Sequence, residues 1–360
     1  MANTISPQQR ALNFGAYTRQ HKQTLGSQTG TANSHIEFEV PKARLLQSIN
    51  LLCEVTLDKK QVSKTEFLSM NDKLSLYNVL RRVSVDYNNG FSPVVASGKD
   101  IAIMNMLRLN SECMIPSTFE DKTMCTIKSE AGYEVDDADI LVVKENQYLT
   151  YYFYLEIPLT LNDRDPSGLV LAQNGQTLIN FAVDISDKAF NYDVDSVKIT
   201  PVLTTFSVPA VESAFPDLSV LKVLDSRKET FTGGGSNLIK LPVGMIYRKI
   251  VLYFEDDNGN PMSADDITSN IEILFNTADV PYSVNPKALR LTNTSQNGYR
   301  LPEGYYAFDF TYQGIPNYGG SRDYVDCERL TTCELRFTTQ ESGKITIISE
   351  KISRLISSGK

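Results

Sequence analysis

Two tyrosine-rich stretches contain the residues of this sequence that could do chemistry, and both end in an Arg-Asp pair. The stretch YYFYLEIPLTLNDRD covers residues 151–165, and YYAFDFTYQGIPNYGGSRD covers residues 305–323. Tyrosines beside acids could bind a sugar, stack on the bases of a nucleic acid or simply lie in a strand. The first stretch favours a strand, because apolar or aromatic residues occupy every second position over residues 149–159. Successive side chains of a strand point to opposite faces of the sheet.

The residue types on which many catalytic sites depend are scarce. Both histidines, His21 and His35, lie in the first tenth of the chain, so a Ser-His-Asp triad or a His-ligated zinc site would have to be built there. A glycan hydrolase would need two carboxylates in a cleft and usually aromatic platforms, and the chain has no tryptophan. We therefore expect no catalytic residue, no metal and no cofactor.

The cysteines are scattered and include no C-x-x-C pair. We expect them to be small buried thiols in a reducing compartment, not metal ligands or disulfide partners. The five positions are Cys53, Cys113, Cys125, Cys327 and Cys333.

Three further stretches resemble ligand-binding loops, and each has a simpler interpretation. GGGSN at 233–237 lacks the Gly-Lys-Ser/Thr of a phosphate loop and predicts a flexible loop or a hinge between domains. DDNGNP at 256–261 lacks the bidentate Glu of a calcium loop and predicts a hairpin turn. Asp136, Asp137 and Asp139 could hold a cation, but a solvated acidic loop is the preferred interpretation.

Composition describes a folded protein with room for two domains. The chain has 360 residues, of which 41% are hydrophobic and 22% charged, enough for two cores of ordinary size. The net charge of −8 argues against a general nucleic-acid binder, which needs a basic surface to collect phosphates. No stretch approaches the roughly 20 apolar residues that span a bilayer, and the N-terminus lacks the apolar segment of a secretory signal.

The elements that position these residues are mainly strands. Alternating patterns occur in HIEFEV (35–40), TLINFAVDIS (177–186), CELRFTT (333–339) and KITIIS (344–349). Only two helices are predicted in this part of the chain, over residues 98–109 after Ser97 and over residues 263–274 after Ser263. Many short strands with frequent turn signals predict β-sandwiches or barrels, not βαβ units.

The same order of patterns occurs in both halves of the chain. LRRVSVDYNNG (80–90) and YRKIVLYFEDDNG (247–259) each combine a basic pair, an alternating strand and an Asn-Gly turn. Each is followed by a predicted helix, a tyrosine-rich strand, an Arg-Asp pair and a further strand. The pairs are Arg164-Asp165 and Arg322-Asp323. This order predicts a duplicated domain, in which the two tyrosine-rich stretches are the same strand in two copies.

These stretches resemble the double jelly-roll major capsid proteins of tailless viruses that enclose an internal membrane. The family most similar is the tectivirus major capsid protein, particularly that of phages of Gram-positive hosts. The resemblance rests on YNVLRRVSVDYNNG (77–90), LTYYFYLEIPLTLNDRDPSGLVLAQNGQTLINFAV (149–183) and MIYRKIVLYFEDDNGNP (245–261) continuing to LPEGYYAFDF (301–310). No single motif is diagnostic of this family, but the combination and order of the motifs are specific for it.

The resemblance implies an all-β fold of two tandem jelly-roll β-sandwiches (a double jelly roll), each with one short helix, plus an N-terminal arm. We expect a partly helical arm over residues 1–34 and the first jelly roll over 35–208. A linker or loop would follow over 209–235, and the second jelly roll with a C-terminal tail over 236–360.

The resemblance also implies a structural, non-enzymatic function. Homotrimers of pseudo-hexagonal outline would tile an icosahedral capsid around an internal membrane. The expected partners are the chain itself, membrane lipids and minor capsid or vertex proteins, without sequence-specific nucleic-acid binding. The chain would be made in the host cytoplasm and end in the virion. The alternatives are a glycan-binding or glycan-hydrolysing protein on a two-sandwich scaffold, or a minor vertex or spike protein of the same virus type.

The N-terminal arm carries the candidate contact residues. Ser6 is a helix N-cap signal, Pro7 suits the first helical position, and no acidic residue precedes Glu37. A basic, amphipathic segment on an acidic body suits lipid headgroups or an adjacent subunit. The predicted contact residues are Arg10, Leu12, Phe14, Tyr17, Arg19 and Lys22. We expect no sandwich strand within residues 2–30, and the alternative is a flexible tail ordered only by neighbours.

Overall fold

The computed structural model of the chain describes residues 7–58, 61–63, 72–88, 90–109, 111–116, 125–127, 133–135, 140–143, 149–161, 168–171, 178–216, 218, 220–311 and 324–354. The α-helices in these ranges are α1 (Pro7–Tyr17), α2 (Gly98–Leu109) and α3 (Pro286–Asn297). Short 3₁₀ helices cover Ser75–Val79, Glu112–Met114 and Glu212–Ala214.

The strands fall into two consecutive sets. The first set is β1 (Gln20–Thr24), β2 (Gln28–Thr31), β3 (His35–Glu39), β4 (Leu45–Leu57), β5 (Gln61–Ser63), β6 (Leu80–Tyr87), β7 (Phe91–Ala96), β8 (Cys125–Ile127), β9 (Tyr133–Val135), β10 (Ile140–Val143), β11 (Leu149–Pro158), β12 (Val170–Leu171), β13 (Ile179–Ile185), β14 (Lys188–Ala189) and β15 (Tyr192–Phe206). The second set is β16 (Val220–Phe231), β17 (Ser236–Leu241), β18 (Ile246–Asp256), β19 (Ile271–Phe275), β20 (Asp279–Val284), β21 (Tyr305–Asp309), β22 (Val325–Asp326), β23 (Cys333–Thr338) and β24 (Gly343–Arg354).

The first set forms a jelly roll, whose eight strands are lettered B to I in chain order. One sheet places B, I, D and G side by side: β1 and β2 together, then β15, β4 and β11. The other sheet places C, H, E and F side by side: β3, β13, β6 and β7. Apolar side chains of both sheets share one core. The remaining strands of this set are additions to that plan.

The second set repeats the plan. Its B, I, D and G strands are β16, β24, β18 and β21, and its C, H, E and F strands are β17, β23, β19 and β20. A second core fills most of this roll. Helices α2 and α3 both lie between the F and G strands of their roll. The fold is therefore a double jelly roll, with one helix at the same place in each roll.

The tyrosine-rich stretches are the G strands, β11 and β21. Side chains of β11 alternate between buried and half-buried along the whole strand, as the sequence pattern predicts. In β21, Tyr305 and Tyr306 are both fully buried. The prediction that the two stretches are the same strand in two copies is confirmed. The Arg164-Asp165 and Arg322-Asp323 pairs lie outside the described residues.

The helix predicted over residues 98–109 is confirmed as α2, but the helix predicted over residues 263–274 is wrong. Ser263 and Asp266 do form a capping-like pair, with the Ser263 Oγ 2.7 Å from a carboxylate oxygen of Asp266. That pair closes a turn, and residues 271–275 then form β19, whose backbone pairs with β23 on one side and β20 on the other. Sheet pairing outweighs the local capping signal. The true helix is α3, which begins after Asn285.

The comparison of residues 80–90 with 247–259 matched two different strands. Residues 80–87 form β6, an E strand, whereas residues 246–256 form β18, a D strand. The E strand of the second roll is β19. Alternation and an Asn-Gly turn describe many strands, so these patterns alone did not fix which strand corresponds to which.

Two boundaries differ from the sequence-based expectation. The expected linker over residues 209–235 contains β16, which pairs along its whole length with β24. The expected arm over residues 1–34 contains β1 and β2, which pair with β15 as strand B of the first roll. The expectation that residues 2–30 hold no sandwich strand is therefore wrong. Our proposal for the domain boundaries starts the first roll at Gln20 and the second at Val220.

The two rolls are joined by continuous backbone pairing. Strand β7, the F strand of the first roll, runs parallel to β16, the B strand of the second, with Val94 opposite Leu224 and Val95 opposite Asp225. A 9-stranded sheet therefore crosses both rolls. Because hydrogen bonds cross the boundary, the angle between the rolls is set by the sheet and not by a flexible linker.

Candidate functional site

The arm helix packs against the body through an aromatic side chain, Phe14, and a hydrogen bond from Asn13 Nδ2 to the Ser213 carbonyl oxygen. Phe14 is 5% exposed and packs in a small apolar cluster with Leu45 and Leu169. Its ring lies edge-on to Phe206, with the ring centroids 5.2 Å apart. The sequence analysis placed Phe14 among the outward-contacting residues. The structure buries it against its own chain, where it packs on Leu45 of β4 and Phe206 of β15.

The other predicted arm residues point outward to different degrees. Leu12 is 70% exposed and Tyr17 is 58% exposed. Arg19 and Lys22 are exposed, and Arg10 is half-buried. The arm therefore presents two apolar side chains and three cations outside the Phe14 cluster. These five residues share one docked segment, but Lys22 belongs to β1 and not to the helix.

Further cations lie at the end of the first roll where α1 docks. Lys42 is exposed and Arg44 is half-buried, and they lie three residues and one residue before Leu45 of the Phe14 cluster. The backbone of strand β24 also ends nearby, because its last residue pairs with Val220, two residues after Leu218, which packs on the same cluster. Sequence reasoning missed these residues because they are distant from the arm along the chain.

A buried lysine connects the two rolls. Lys99 of α2 forms an ion pair with Asp72, and its Nζ lies 3.5 Å from the ring centroid of Tyr253 in β18. The Tyr253 hydroxyl donates to Asp72 Oδ2 across 3.4 Å. Burial, reinforced by the nearby Asp72 charge, raises the pKa of Tyr253 far above its ordinary value, so the phenol stays a neutral donor. The cation–π contact and the ion pair together join the first roll to the second at this point.

A second charged cluster lies at the same boundary. Lys222 of β16 and Arg248 of β18 share the carboxylate of Glu350 in β24, at 3.0 Å from Lys222 Nζ and 3.1 Å from Arg248 Nε. The Arg108–Glu156 ion pair of the first roll faces them across a cavity of about 30 Å³. Burial alone raises the pKa of Glu350, but the charges of Lys222, Arg248 and Lys249 lower it to about 2.

One asparagine in each of the helices α2 and α3 forms hydrogen bonds with the backbone of the G strand that follows it. Asn105 of α2 donates to the carbonyl oxygen of Glu156 and accepts from its N–H, both at 2.8 Å. Asn293 of α3 does the same to Ala307, at 2.7 and 3.0 Å. These bonds satisfy backbone groups on the outer edge of the G strand, which would otherwise be buried without partners. Neither asparagine was singled out from the sequence.

The predicted ligand-like loops are turns where they are described. Residues 232–235 connect β16 to β17 within the second roll, so GGGSN is a turn inside that roll and not a hinge between domains. Residues 256–261 form the predicted hairpin turn, in which Asn260 N–H donates to Asp256 Oδ1 across 2.7 Å and Gly259 has a φ of 84°. The acidic positions Asp136, Asp137 and Asp139 lie outside the described residues.

The cysteines that the structure describes are unpaired. Cys53, Cys327 and Cys333 are buried free thiols, and Cys113 is half-buried. Burial raises the pKa of Cys53 well above its ordinary value, which keeps the thiol protonated and unreactive. The side chain of Cys125 lies outside the described residues.

Comparison with known proteins identifies the architecture. No protein-family model matches the sequence, and no curated protein matches it either. Among solved structures, the STIV major capsid protein superposes with a TM-score of 0.67 at 13% identity, covering 95% of this chain and 100% of that one. The chain has the double jelly-roll fold of viral major capsid proteins.

Two further structures show the same likeness. The major capsid protein of bacteriophage PM2 gives a TM-score of 0.57 at 11% identity, covering 95% of this chain and 100% of that chain. A chain of the PBCV-1 virus capsid gives 0.65 at 10% identity, covering 95% and 96%. The jelly-roll pair thus extends over nearly the whole length of each protein. Within the described ranges, none of the helices has the length and apolar character needed to cross a membrane.

Proposed function

We propose that this chain is the major capsid protein of a tectivirus-like virus, and that its homotrimers tile an icosahedral shell around an internal membrane. The observation that supports this most is the full-length double jelly roll, shared over 95% of the chain with the STIV and PM2 capsid proteins. Three copies of a chain with two similar rolls form a tile of pseudo-hexagonal outline around one axis. Such a tile needs no catalytic residue.

A rigid junction between the rolls suits this role. A tile keeps its outline only if the angle between its rolls is fixed. The parallel β7–β16 pairing, the Lys99 contact and the shared Glu350 all act at that junction. These contacts support the proposal, because they leave little freedom for the rolls to rotate.

Trimer formation is tested by sedimentation of the purified chain at micromolar concentration. We expect a species of three chains that persists on dilution. Sedimentation as a monomer alone would contradict the tile. Removal of residues 2–30 is not a suitable variant, because it deletes β1 and β2 from the first roll. A cleaner truncation ends before Gln20 and leaves both strands in place.

We further propose that the end of the first roll carrying α1 faces the internal membrane. Arg10, Arg19 and Lys22 supply positive charge there, and each cation near an anionic surface contributes about 1 kcal/mol. Lys42 and Arg44 add to that charge, while Phe14 holds the helix in place. Leu12 and Tyr17 remain free to contact lipid or a neighbouring subunit.

The membrane contact is tested by vesicle binding of the purified protein. Replacement of Arg10, Arg19 and Lys22 by Gln should weaken binding to anionic vesicles at low salt. High salt should weaken wild-type binding as well, because a Debye length of about 10 Å at 0.1 M screens such contacts. Replacement of Lys240, Lys287 and Arg300 by Gln, on the second roll, is the matched control. Equal binding by all three proteins would remove the membrane-facing role and leave the trimer proposal intact.

A further inference from the structure

A small cavity lined by both charged and apolar side chains lies between the two jelly rolls. Helix α2 and strand β11 of the first roll close one side, and β16, β18 and β24 of the second roll close the other. Its volume is about 30 Å³, which is room for a water molecule or a monatomic ion but not for a large ligand. The charged side chains that line it are Arg108, Glu156, Lys222, Lys249, Arg248 and Glu350.

Among the described residues, positive charge exceeds negative charge around this cavity. Arg108 pairs with Glu156, and Lys249 pairs with Asp309, whose Oδ2 lies 2.7 Å from the Lys249 Nζ. The other two cations, Lys222 and Arg248, have one carboxylate between them, that of Glu350. The described residues therefore leave one positive charge without a matching carboxylate.

The excess charge is buried. Lys222 is 7% exposed and Arg248 is 5% exposed. An uncompensated charge removed from water costs several kcal/mol unless a counter-charge or hydrogen bonds offset it. A site of this kind favours occupation by a small anion.

The guanidinium of Arg248 has an N–H donor, at Nε, that is not used in a hydrogen bond to the described residues. Its only ionic partner among the described residues is Glu350, which approaches the Nε atom. Within the described residues its buried Nε makes no hydrogen bond, although the Glu350 carboxylate lies 3.1 Å away. A guanidinium is planar and carries donors on all its nitrogens, so these groups can bind an anion in the cavity.

We propose that this cavity binds a monovalent inorganic anion of the size of chloride, held by Arg248, Lys222 and Arg108. One negative charge would offset the excess, and it would contact cations from both rolls. The anion would thereby strengthen the junction. This inference concerns the folded chain itself and stands independently of the capsid function.

A neutral Lys222 is the competing way to balance the charge. Burial lowers the pKa of Lys222, although the Glu350 carboxylate acts in the opposite direction. Loss of that proton would remove the need for an anion. A bound anion predicts that stability rises with chloride, whereas a neutral Lys222 predicts no specific effect of chloride, so an experiment separates them.

The first test is thermal unfolding of the full chain in sodium chloride and in sodium gluconate at matched ionic strength. A ligand that binds only the folded state raises the unfolding midpoint as its concentration increases. We expect a midpoint several degrees higher in chloride. Equal midpoints in the two salts would overturn the proposal and indicate a neutral Lys222.

Two variants locate the effect. Arg248→Met should abolish the difference between chloride and gluconate, and Arg248→Lys should reduce it while keeping the charge. Lys351→Met is the control, because Lys351 is also buried but pairs with Asp225 at 2.9 Å and does not line the cavity. It should lose stability yet keep the full chloride effect. An unchanged chloride effect in Arg248→Met would place the anion elsewhere and contradict this site.

A second test needs no variant. Crystals of the wild-type chain grown or soaked in sodium bromide should show an anomalous bromide peak between the Arg248 guanidinium and the Lys222 amine. A cavity that contains only water under these conditions would overturn the proposal.

Discussion

Asn105 and Asn293 hold equivalent positions in the two jelly rolls. Each is the eighth residue of a 12-residue helix, each is 2% exposed, and each binds both backbone groups of one residue in the following G strand. Two unrelated helix–strand contacts would not be expected to share this geometry. The pair is therefore the clearest residue-level sign that the two rolls are copies of one plan.

The asparagine contacts should contribute similarly to stability in the two rolls. Asn105→Ala or Asn293→Ala leaves a buried N–H and a buried carbonyl without partners, at a cost of roughly 2 to 4 kcal/mol. Urea unfolding of each single variant measures this. Leu291→Ala, on the same helix as Asn293 but 70% exposed, should change little. A loss confined to one of the two asparagines would contradict their equivalence.

Replacement of Glu350 by Gln should destabilise the junction by roughly 3 to 5 kcal/mol, because it leaves Lys222 and Arg248 buried without their shared carboxylate. Urea unfolding at neutral pH measures the loss. Glu341→Gln, at an exposed position, is the control and should have little effect. Similar stability of the two variants would show that the shared carboxylate contributes little.

Stability should also fall in acid because of Glu350. Its pKa is lowered from an ordinary value of 4.5 to about 2 in the folded chain. Its contribution is therefore fully present above pH 4.5 and is lost as the pH falls towards 2. Unfolding free energies across that interval should decline less steeply in Glu350→Gln than in the wild type. Parallel pH profiles would contradict the lowered pKa.

Lys99→Met should cost roughly 2 kcal/mol or more, because it removes a desolvated cation–π contact with Tyr253 and leaves Asp72 unpaired. The matched control is Lys287→Met. Lys287 also pairs with an aspartate, Asp265, but both side chains are more than half exposed, and such pairs contribute about 0 to 1 kcal/mol. Equal unfolding free energies for the two variants would show that the inter-roll contact is not stabilising.

Phe14→Ala should release helix α1 without unfolding the first roll. The substitution removes the aromatic anchor of the Phe14 cluster, at a cost of roughly 3 to 5 kcal/mol, and an isolated helix of this length is marginal in water. Amide hydrogen exchange should accelerate over residues 7–17 while β1 remains protected. Leu12→Ala, whose side chain is largely exposed, should leave exchange unchanged. Equal protection of α1 in both variants would contradict the anchoring role.

Much of the strand content could be predicted because alternation is a local property. The tyrosine-rich G strands follow directly from it, since every second side chain of β11 is buried. Helix α2 was also predictable: the Ser97 hydroxyl and the Asp100 carboxylate form the capping interaction that the sequence signals, with oxygens 2.7 Å apart.

The second helix was missed although its signals are present. Asn285 caps α3 by accepting from Lys287 N–H across 3.0 Å, and Gly298 ends it with a φ of 76°. The Ser263–Asp266 pair gave an equally good local signal, and only pairing with distant strands decided between them. Capping motifs report on a turn, and tertiary contacts determine whether a helix follows.

The junction could not be predicted because its partners are far apart in the chain. Lys222 and Glu350 are separated by more than a hundred residues, and neither lies in a recognisable motif. Strand B of the first roll could not be predicted either. Residues 20–31 are polar and alternate only weakly, so their sequence does not indicate that they pair with β15. Which distant segments pair with each other depends on the register of the strands in the folded sheet, and the composition of a segment does not determine it.

The abundance of this chain in purified virus particles tests the central claim most directly. Particles from the source of the sequence would be purified, separated by gel electrophoresis and quantified by mass spectrometry. A major capsid protein is the most abundant protein of the shell, so we predict that this chain gives the strongest band. A faint band would indicate a minor vertex or spike protein, and absence from the particles would contradict the capsid function altogether.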